Sequence, residues 1–315
     1  MKIVLLESLG ISDALLEQLA APLKAAGHSF AAYEKTTDVE KLKEQCRDAD
    51  VLMLANMPLP GEVIRACEHL QFINIAFTGV DHVDLAAAKE VGAAVSNAAG
   101  YSTQAVAELT IGQMLSLLRN VHAVEEQCRR EGTKVGLVGR ELSACTVGVI
   151  GTGAIGQKVA QLCGAFGCKV IGYAPRPKAE AEKVLTYVSL EELLKESDIV
   201  TLHCPLTAET RGLIGEEQLA LMKKDAYLIN MARGPVVDSA ALARALNEEK
   251  IAGAAVDVFE VEPPIKQDHP LLNCRNCRVT PHVAFASKES MAKRAKIVFD
   301  SLQSWMKGEQ VNKIL

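Results

Sequence analysis

Apolar residues occur along this chain in two alternating patterns. Short apolar runs predict strands at residues 2–7, 30–33, 51–55, 72–76 and 94–96. Between these runs, apolar residues recur at helical spacing and predict helices at 13–26, 39–46, 62–67 and 85–90. Strands that alternate with helices usually pair in parallel and are covered on both faces. The pattern therefore predicts an α/β fold.

The same alternation resumes after one long apolar stretch. Residues 103–129 predict a single long helix, apolar at Val106, Leu109, Met114, Leu117, Leu118 and Val121. Further strands are predicted at 146–150, 169–173, 199–203, 227–231, 254–257 and 278–280, with a final helix at 289–307 that is expected to return to the first domain. We predict two doubly wound parallel-sheet domains, 1–98 plus 290–315 and 99–289, divided at the turn formed by 97–100.

The second domain has a glycine-rich turn after its first strand. The strand at 146–150 runs directly into Gly151, Gly153 and Gly156, spaced as G-x-G-x-x-G, and a helical pattern follows. The first glycine permits a tight turn, the second lets backbone approach a pyrophosphate, and the third lets the helix pack close to the strand. The amides of the turn then lie at the positive end of the helix dipole. This context predicts a dinucleotide site, and a purely structural turn is the alternative.

Composition narrows the classes of function. The net charge of −5 and the lack of a basic run give no reason to expect a nucleic-acid partner. The apolar N-terminal run ends at Glu7, too early for a signal peptide, and no apolar stretch approaches the length of a membrane span; we expect a cytoplasmic protein without membrane association. The nine cysteines are typical of small buried hydrophobes in a reducing compartment. The C-x-x-C of Cys274 and Cys277 has no second pair and is interpreted as part of a loop, not as a metal site.

Several polar residues follow predicted strands of the second domain, at the edge where open α/β sheets bind ligands. Arg233, in NMARGPVVD, offers a guanidinium that can hold a carboxylate with two parallel hydrogen bonds; a structural ion pair is the alternative. Glu262, in DVFEVEPP, and His282, in TPHVAFAS, are candidates for an acid–base pair, because a carboxylate beside an imidazole favours the protonated ring and fixes its orientation. His203, in HCPLT, is a second candidate imidazole.

The order of these motifs resembles the D-isomer-specific 2-hydroxyacid dehydrogenase family over nearly the whole chain. The matching segments are VGVIGTGAIGQKVA, HCPLTAETRGLI, NMARGPVVD, AAVDVFEVEPP and TPHVAFAS. The resemblance implies a flavodoxin-like substrate domain and a Rossmann dinucleotide-binding domain, with the active site in the cleft between them. It also implies that Arg233 binds the substrate carboxylate and carbonyl, that His282 is the catalytic acid or base, and that Glu262 is its partner.

The resemblance assigns binding roles to further positions. Cofactor contacts fall on Gly151, Gly153, Ala154, Ile155, Gly156, Ala174, Arg176, His203, Pro205, Thr210, Met231, Ala232 and Asp257. Substrate contacts fall on Asn56, Gly79, Val80, Arg233 and His282. Within these sets, Asp257 is expected to bind the nicotinamide amide, and the backbone amides of Gly79 and Val80 the substrate carboxylate. A strand cap and a simple turn are the structural alternatives for Asp257 and Gly79. Formate dehydrogenases carry Gln where Glu262 stands, which argues against formate as substrate.

One position departs from the pattern of NAD-dependent members. Such members usually end the second strand of the nucleotide domain with Asp or Glu, which binds the ribose hydroxyls and repels a 2′-phosphate. Here that position is Ala174, with Arg176 and Lys178 following in YAPRPK. The missing carboxylate and the nearby guanidinium favour NADP, with NAD as the alternative.

These features predict an oxidoreductase that reversibly reduces a small 2-oxo acid to its D-2-hydroxy acid. The loop at 56–60 supplies no second cation, so a singly charged acid such as glyoxylate, hydroxypyruvate or pyruvate is expected. The alternative is a nucleotide-sensing, corepressor-like binding protein on the same fold. By resemblance the protein is expected to be a homodimer, and the apolar helix after Thr103 is a candidate contact.

Overall fold

The strands of both sheets pair in parallel in the computed structural model, which describes residues 1–261 and 263–315. The chain divides into two compact units, 1–102 with 286–315 and 103–285. The C-terminal helix, Lys288–Met306, therefore belongs to the same unit as the N-terminal segment. The predicted domain boundaries at 98/99 and 289/290 stay predictions.

The first unit holds a five-stranded sheet, formed by β1 (Lys2–Leu5), β2 (Ser29–Ala32), β3 (Val51–Leu54), β4 (Phe72–Ile75) and β5 (Ala94–Asn97). Its strand order, β2-β1-β3-β4-β5, is the flavodoxin-like order. Four helices connect these strands: α1 (Asp13–Ala25), α2 (Val39–Cys46), α3 (Gly61–Arg65) and α4 (Leu85–Glu90). The C-terminal helix packs on this sheet, where Trp305 stacks on Phe72 with ring centroids 4.7 Å apart.

The second unit holds a seven-stranded sheet, formed by β6 (Thr146–Ile150), β7 (Lys169–Tyr173), β8 (Thr186–Tyr187), β9 (Ile199–Leu202), β10 (Tyr227–Asn230), β11 (Gly253–Val256) and β12 (Cys277–Val279). The order is β12-β11-β10-β9-β6-β7-β8, which is the Rossmann order with one more parallel strand at the β12 edge. The strand order reverses between β6 and β9, and this switch point is where such folds bind ligands. The apolar pattern misses β8, because only two residues form it.

The helices of the second unit, followed by the C-terminal helix, are α5 (Thr103–Leu118), α6 (Val121–Arg129), α7 (Ala154–Ala165), α8 (Leu190–Glu196), α9 (Glu216–Leu221), α10 (Ser239–Asn247) and α11 (Lys288–Met306). The single helix predicted over 103–129 is wrong. The chain breaks after α5 at Asn120, whose φ of 51° is left-handed, a conformation that Asn tolerates better than most residues. Burial explains the two halves: α5 buries seven residues, whereas α6 buries none.

The cysteines fit the prediction of small buried hydrophobes only in part. Five of the nine are buried, namely Cys46, Cys67, Cys145, Cys163 and Cys204, but Cys128 is exposed. Across residues 1–261 and 263–315, no group of three His, Cys, Asp or Glu side chains is arranged to hold a metal ion. Nor does any helix in those residues combine the length and apolar character that a membrane span requires.

Candidate active site

The three glycines after β6 have different surroundings. Gly151 has φ of +91°, and a Cβ there would lie 2.5 Å from the amide nitrogen of Cys204. A Cβ on Gly156 would lie 2.0 Å from the carbonyl oxygen of Gly151. A Cβ on Gly153 would meet nothing within 4 Å. The fold itself thus requires the first and third glycines, whereas the second has open space beside it among the described residues.

The open glycine lies at the start of α7. Gly153 is the N-cap residue and has no side chain to bond the first amides of the helix, which begins at Ala154. Gly153 and Ala154 are exposed, and Ile155 is half-buried. Exposed amides at the positive end of a 12-residue helix fit a pyrophosphate. The residues present therefore suit a dinucleotide.

The loop after β7 is the second part of the candidate cofactor site. Ala174 is half-buried and Arg176 is exposed. The pKa of Glu209, a surface residue, is lowered mainly by a hydrogen bond from the Thr207 hydroxyl. The positive charge of Arg176 lowers this pKa only weakly. This edge of the site therefore carries one nearby acid but no carboxylate at the strand end itself.

The segment after β9 holds three of the predicted cofactor residues. The Thr210 hydroxyl donates to the carbonyl of Pro205 at 2.7 Å and accepts from the amide of Thr207 at 2.8 Å, which fixes the turn. His203 Nε2 lies 2.9 Å from Thr201 Oγ1, whereas the buried Nδ1 atom has no hydrogen-bond partner among the described residues. Burial lowers the pKa of His203 to about 3, so the ring is neutral at physiological pH.

Arg233 lies in the turn after β10, and the buried side chain of Asn230 stabilises this turn through two hydrogen bonds. The Asn230 side chain donates to the carbonyl of Arg233 at 3.0 Å and accepts from the amide of Ala232 at 3.0 Å. Met231 and Ala232, both predicted to contact cofactor, are buried. Gly234 is required because a Cβ there would lie 1.9 Å from the carbonyl carbon of Phe259.

Arg233 is half-buried at this turn. Its Nη1 atom donates to the carbonyl of Ala232 at 2.9 Å. The backbone of Arg233 itself is extended, with φ of −145°. The turn therefore holds one nitrogen of the guanidinium, and Arg233 is partly exposed, as a residue that binds an anion must be.

His282 lies in a strained turn organised by Asp257. The φ of His282 is +53°, uncommon for a residue with a Cβ and frequent at functional sites. Asp257 is 0% exposed, and its carboxylate accepts from the Thr280 hydroxyl at 2.5 Å and from the amides of Val283 and Ala284, each at 2.9 Å. The amide of His282 donates to the carbonyl of Asp257 at 2.7 Å.

These contacts give Asp257 a role that sequence reasoning missed. Its carboxylate accepts hydrogen bonds from the turn that carries His282 and so holds that turn in place. Burial raises the pKa of Asp257 above its usual value. The predicted contact with the nicotinamide amide stays a prediction. The ring of Phe285 meets the His282 ring edge to face, with centroids 5.4 Å apart. Glu262, the predicted partner of His282, lies outside the described residues.

The predicted substrate residues Asn56, Gly79 and Val80 lie in the first unit, after the neighbouring strands β3 and β4. Oε1 of the buried Glu7 accepts from the amides of Ala55 and Met57, each at 2.8 Å, and so holds the turn that contains Asn56. Gly79 and Val80 are half-buried. Arg233 and His282 belong to the second unit.

Sequence comparison identifies the family. A profile described as D-isomer specific 2-hydroxyacid dehydrogenase, NAD binding domain, matches residues 111–284. The chain belongs to this family. The dehydrogenase is 35% identical over 325 residues to a hydroxypyruvate reductase of Blautia hydrogenotrophica, with 99% of each chain covered. It is 40% identical over 310 residues, or 97% of its length, to a D-3-phosphoglycerate dehydrogenase of Methanocaldococcus jannaschii, of which it spans 58%.

A solved structure has the same fold. The acyclic imino acid reductase Bsp5, in complex with NADPH and D-Arg, has a TM-score of 0.91 and 28% identity to the dehydrogenase, with 100% of both chains covered. These relatives bear the names of enzymes, so a corepressor-like binding protein is not favoured. A nicotinamide cofactor follows from the family's NAD binding domain.

The buried supports of the site escaped sequence reasoning. Glu7 and Asn230 each end an apolar run, in KIVLLE and YLIN. A polar residue at the last position of a buried strand is the signal that points to them, since a buried polar group needs partners nearby.

Proposed function

We propose that the dehydrogenase reversibly reduces a small 2-oxo acid, such as glyoxylate, hydroxypyruvate or pyruvate, to the D-2-hydroxy acid. The strained backbone of His282 carries this proposal. A φ of +53°, stabilised by the buried Asp257, is retained in a turn that begins just after β12, and the Arg233 turn follows β10 in the same sheet. Strain of this kind persists where the surroundings enforce it, and it is common where a side chain must be aimed.

The proposed roles follow from charge and proton supply. When bound, the nicotinamide cofactor supplies the hydride that reduces the carbonyl carbon. The Arg233 guanidinium holds the substrate carboxylate and stabilises the negative charge that develops on the carbonyl oxygen. His282 gives its proton to that oxygen, and in the reverse direction it takes the proton from the hydroxyl. Glu262 is the partner of His282, Asn56 contacts the substrate, and the amides of Gly79 and Val80 bind its carboxylate.

Substitution of the two charged residues tests these roles. His282→Gln and Arg233→Gln should each lower kcat with glyoxylate by about 10²- to 10⁴-fold, the usual contribution of a positioned acid or charge. The dissociation constant for NADPH should stay within about twofold of wild type. His69→Gln, an exposed imidazole in the first unit, serves as the control and should keep wild-type kcat. Near-normal kcat in both active-site variants would contradict the assignment.

The proposal includes a preference for NADP over NAD. Ala174 removes the carboxylate that repels a 2′-phosphate, and the exposed Arg176 offers a guanidinium two residues further on. The NADPH-bound reductase Bsp5 is a neighbour of the same fold. Wild type should show the higher kcat/KM with NADPH, and Ala174→Asp and Arg176→Ala should each reverse or abolish that preference. Lys158→Ala, a half-buried lysine on α7 whose ammonium donates to Gln161, is the charge control. A clear preference of wild type for NADH would refute the proposed preference for NADP.

Substrate charge is tested with a panel of acids. The loop at 56–60 carries no cation, so a phosphorylated 2-oxo acid finds no second positive charge there. We expect higher kcat/KM with glyoxylate, hydroxypyruvate or pyruvate than with 3-phosphohydroxypyruvate. Activity confined to the phosphorylated acid would overturn this choice, and would agree instead with the relative named D-3-phosphoglycerate dehydrogenase.

The proposal further includes a homodimer. The apolar positions of α5 pack within its own unit, whereas α6 buries nothing, and Val135 and Val138 are 86% and 82% exposed. A second copy is proposed to cover this surface. Light scattering should give twice the mass of the 33.8 kDa chain, and Val135→Asp with Val138→Asp should give the monomer. A monomeric wild type would refute it.

A further inference from the structure

The hydroxyl of Tyr187 lies between the two loops of the candidate cofactor site. Its oxygen is 2.6 Å from Thr152 Oγ1, in the glycine turn, and accepts from the amide of Lys178 at 3.0 Å, in the loop after β7. Tyr187 reaches both loops because β8 pairs with β7, where Tyr187 lies opposite Gly172. One hydroxyl therefore connects the turn that suits a pyrophosphate to the loop that carries Arg176.

Both ends of this connection are fixed. Thr152 is 3% exposed, and its carbonyl accepts from the Gln157 side chain at 2.9 Å. On the other side, Lys178 donates its only backbone hydrogen to Tyr187, and either hydroxyl can be the donor between Tyr187 and Thr152. The two bonds form a chain from Lys178 through Tyr187 to Thr152, and removal of one oxygen atom breaks both.

The loop after β7 depends on this chain for its position. Pro175 and Pro177 flank Arg176, and proline has no N–H to donate, so the loop has few amides with which to attach itself to its surroundings. The amide of Lys178 is one of them, and it is bonded to Tyr187. The same prolines restrict φ, so a loop held at Lys178 has little freedom at Arg176.

We propose that Tyr187 is a positioning residue for selection between NADPH and NADH. Its hydroxyl holds Arg176 at a fixed place relative to the glycine turn, so that the guanidinium meets the ribose 2′-phosphate when the pyrophosphate lies on that turn. The inference rests on the proposed cofactor preference and deepens it. Loss of two hydrogen bonds of ordinary strength corresponds to a change in affinity of about tenfold.

Tyr187→Phe tests the proposal, because it removes the hydroxyl and keeps the ring. We expect the dissociation constant for NADPH, measured by fluorescence titration, to rise about tenfold and that for NADH to change by less than about threefold. The Lys178 amide should exchange with deuterium faster than in wild type. Thr152→Val should reproduce the loss of selectivity. Tyr227→Phe, on β10, which lies four strands away from β8 in the sheet, should leave both dissociation constants unchanged.

A double variant separates positioning from general support. In an Arg176→Ala background, Tyr187→Phe should have no further effect on the ratio of the two dissociation constants. An equal loss of NADPH and NADH affinity in Tyr187→Phe, or no loss, would overturn the proposal. If wild type selects NADPH and Tyr187→Phe still does, only this inference fails; if wild type selects NADH, the cofactor preference itself fails and this inference with it. Because binding is measured, inactivity toward any one 2-oxo acid does not affect the result.

Discussion

The second glycine of the turn separates cofactor binding from folding. A Cβ at Gly153 meets nothing within 4 Å, and φ of −73° suits alanine, so Gly153→Ala should keep the free energy of unfolding within about 1 kcal/mol of wild type. The added methyl instead occupies space that a pyrophosphate needs. Loss of one charge-assisted hydrogen bond, worth about 1.5–3 kcal/mol, raises the dissociation constant for NADPH roughly 10- to 150-fold.

Gly156→Ala is the matched comparison. Its Cβ would lie 2.0 Å from the carbonyl oxygen of Gly151, so backbone must move, and overpacking of this kind lowers stability by about 1–3 kcal/mol. Urea unfolding without cofactor, followed by titration with NADPH and NADH, distinguishes the two variants. A Gly153→Ala variant that binds cofactor as wild type does, or that loses as much stability as Gly156→Ala, would contradict this expectation.

Three further predictions concern buried polar groups. His203 has a pKa of about 3 in the folded chain, whereas its imidazole takes up a proton below about pH 6.5 in the unfolded chain. The stabilisation that the neutral ring contributes is therefore full above about pH 6.5 and is lost as the pH falls toward 3. Between pH 7.5 and 5, urea unfolding should show that the free energy of unfolding falls by about 2 kcal/mol more in wild type than in His203→Gln. An equal loss in both proteins would contradict this. Asp257→Asn places an NH₂ group opposite an amide donor, so urea unfolding should show a free energy of unfolding about 1–3 kcal/mol lower than that of wild type. The kcat should fall as well, because the turn that carries His282 shifts. An unchanged free energy of unfolding would refute this prediction. Glu7→Gln keeps an oxygen for the two amides beside Asn56 and should unfold near the wild-type urea midpoint. Glu7→Ala leaves both amides without an acceptor, and its free energy of unfolding should fall by about 2–5 kcal/mol. Equal midpoints for the two variants would argue against the hydrogen bonds from these amides to Glu7.

Alternation of apolar runs was sufficient to predict the fold class, because buried parallel strands are short and continuously apolar. It failed where the chain changes direction inside an apolar stretch. The break at Asn120 depends on a single left-handed residue, while the apolar residues on either side keep a helical spacing. Helical periodicity does not detect a local φ, so the sequence predicted one helix where the structure has α5 and α6.

The site divides in the same way between what the sequence reveals and what it hides. Arg233 and His282 were proposed as site residues because charged and titratable residues stand out beside apolar strands and glycine turns. Asn230 and Tyr187 were missed because their importance lies in partners far along the chain or in backbone amides. Tyr187 is 35 residues from Thr152, and only the pairing of β8 with β7 brings its hydroxyl to that turn. Such contacts belong to tertiary structure.

A common arrangement connects these supports. Glu7, Asn230 and Asp257 each follow or end a parallel strand, are buried, and accept hydrogen bonds from amides of a turn at the sheet edge. The turns carry Asn56, Arg233 and His282 respectively. An amide at the end of a strand has no partner in the sheet, so a buried acceptor both satisfies it and fixes the direction of the turn. Substitution of a support should therefore lower stability and activity together, whereas substitution of the residue on the turn should lower activity alone. This difference separates the proposed catalytic residues from the residues that position them.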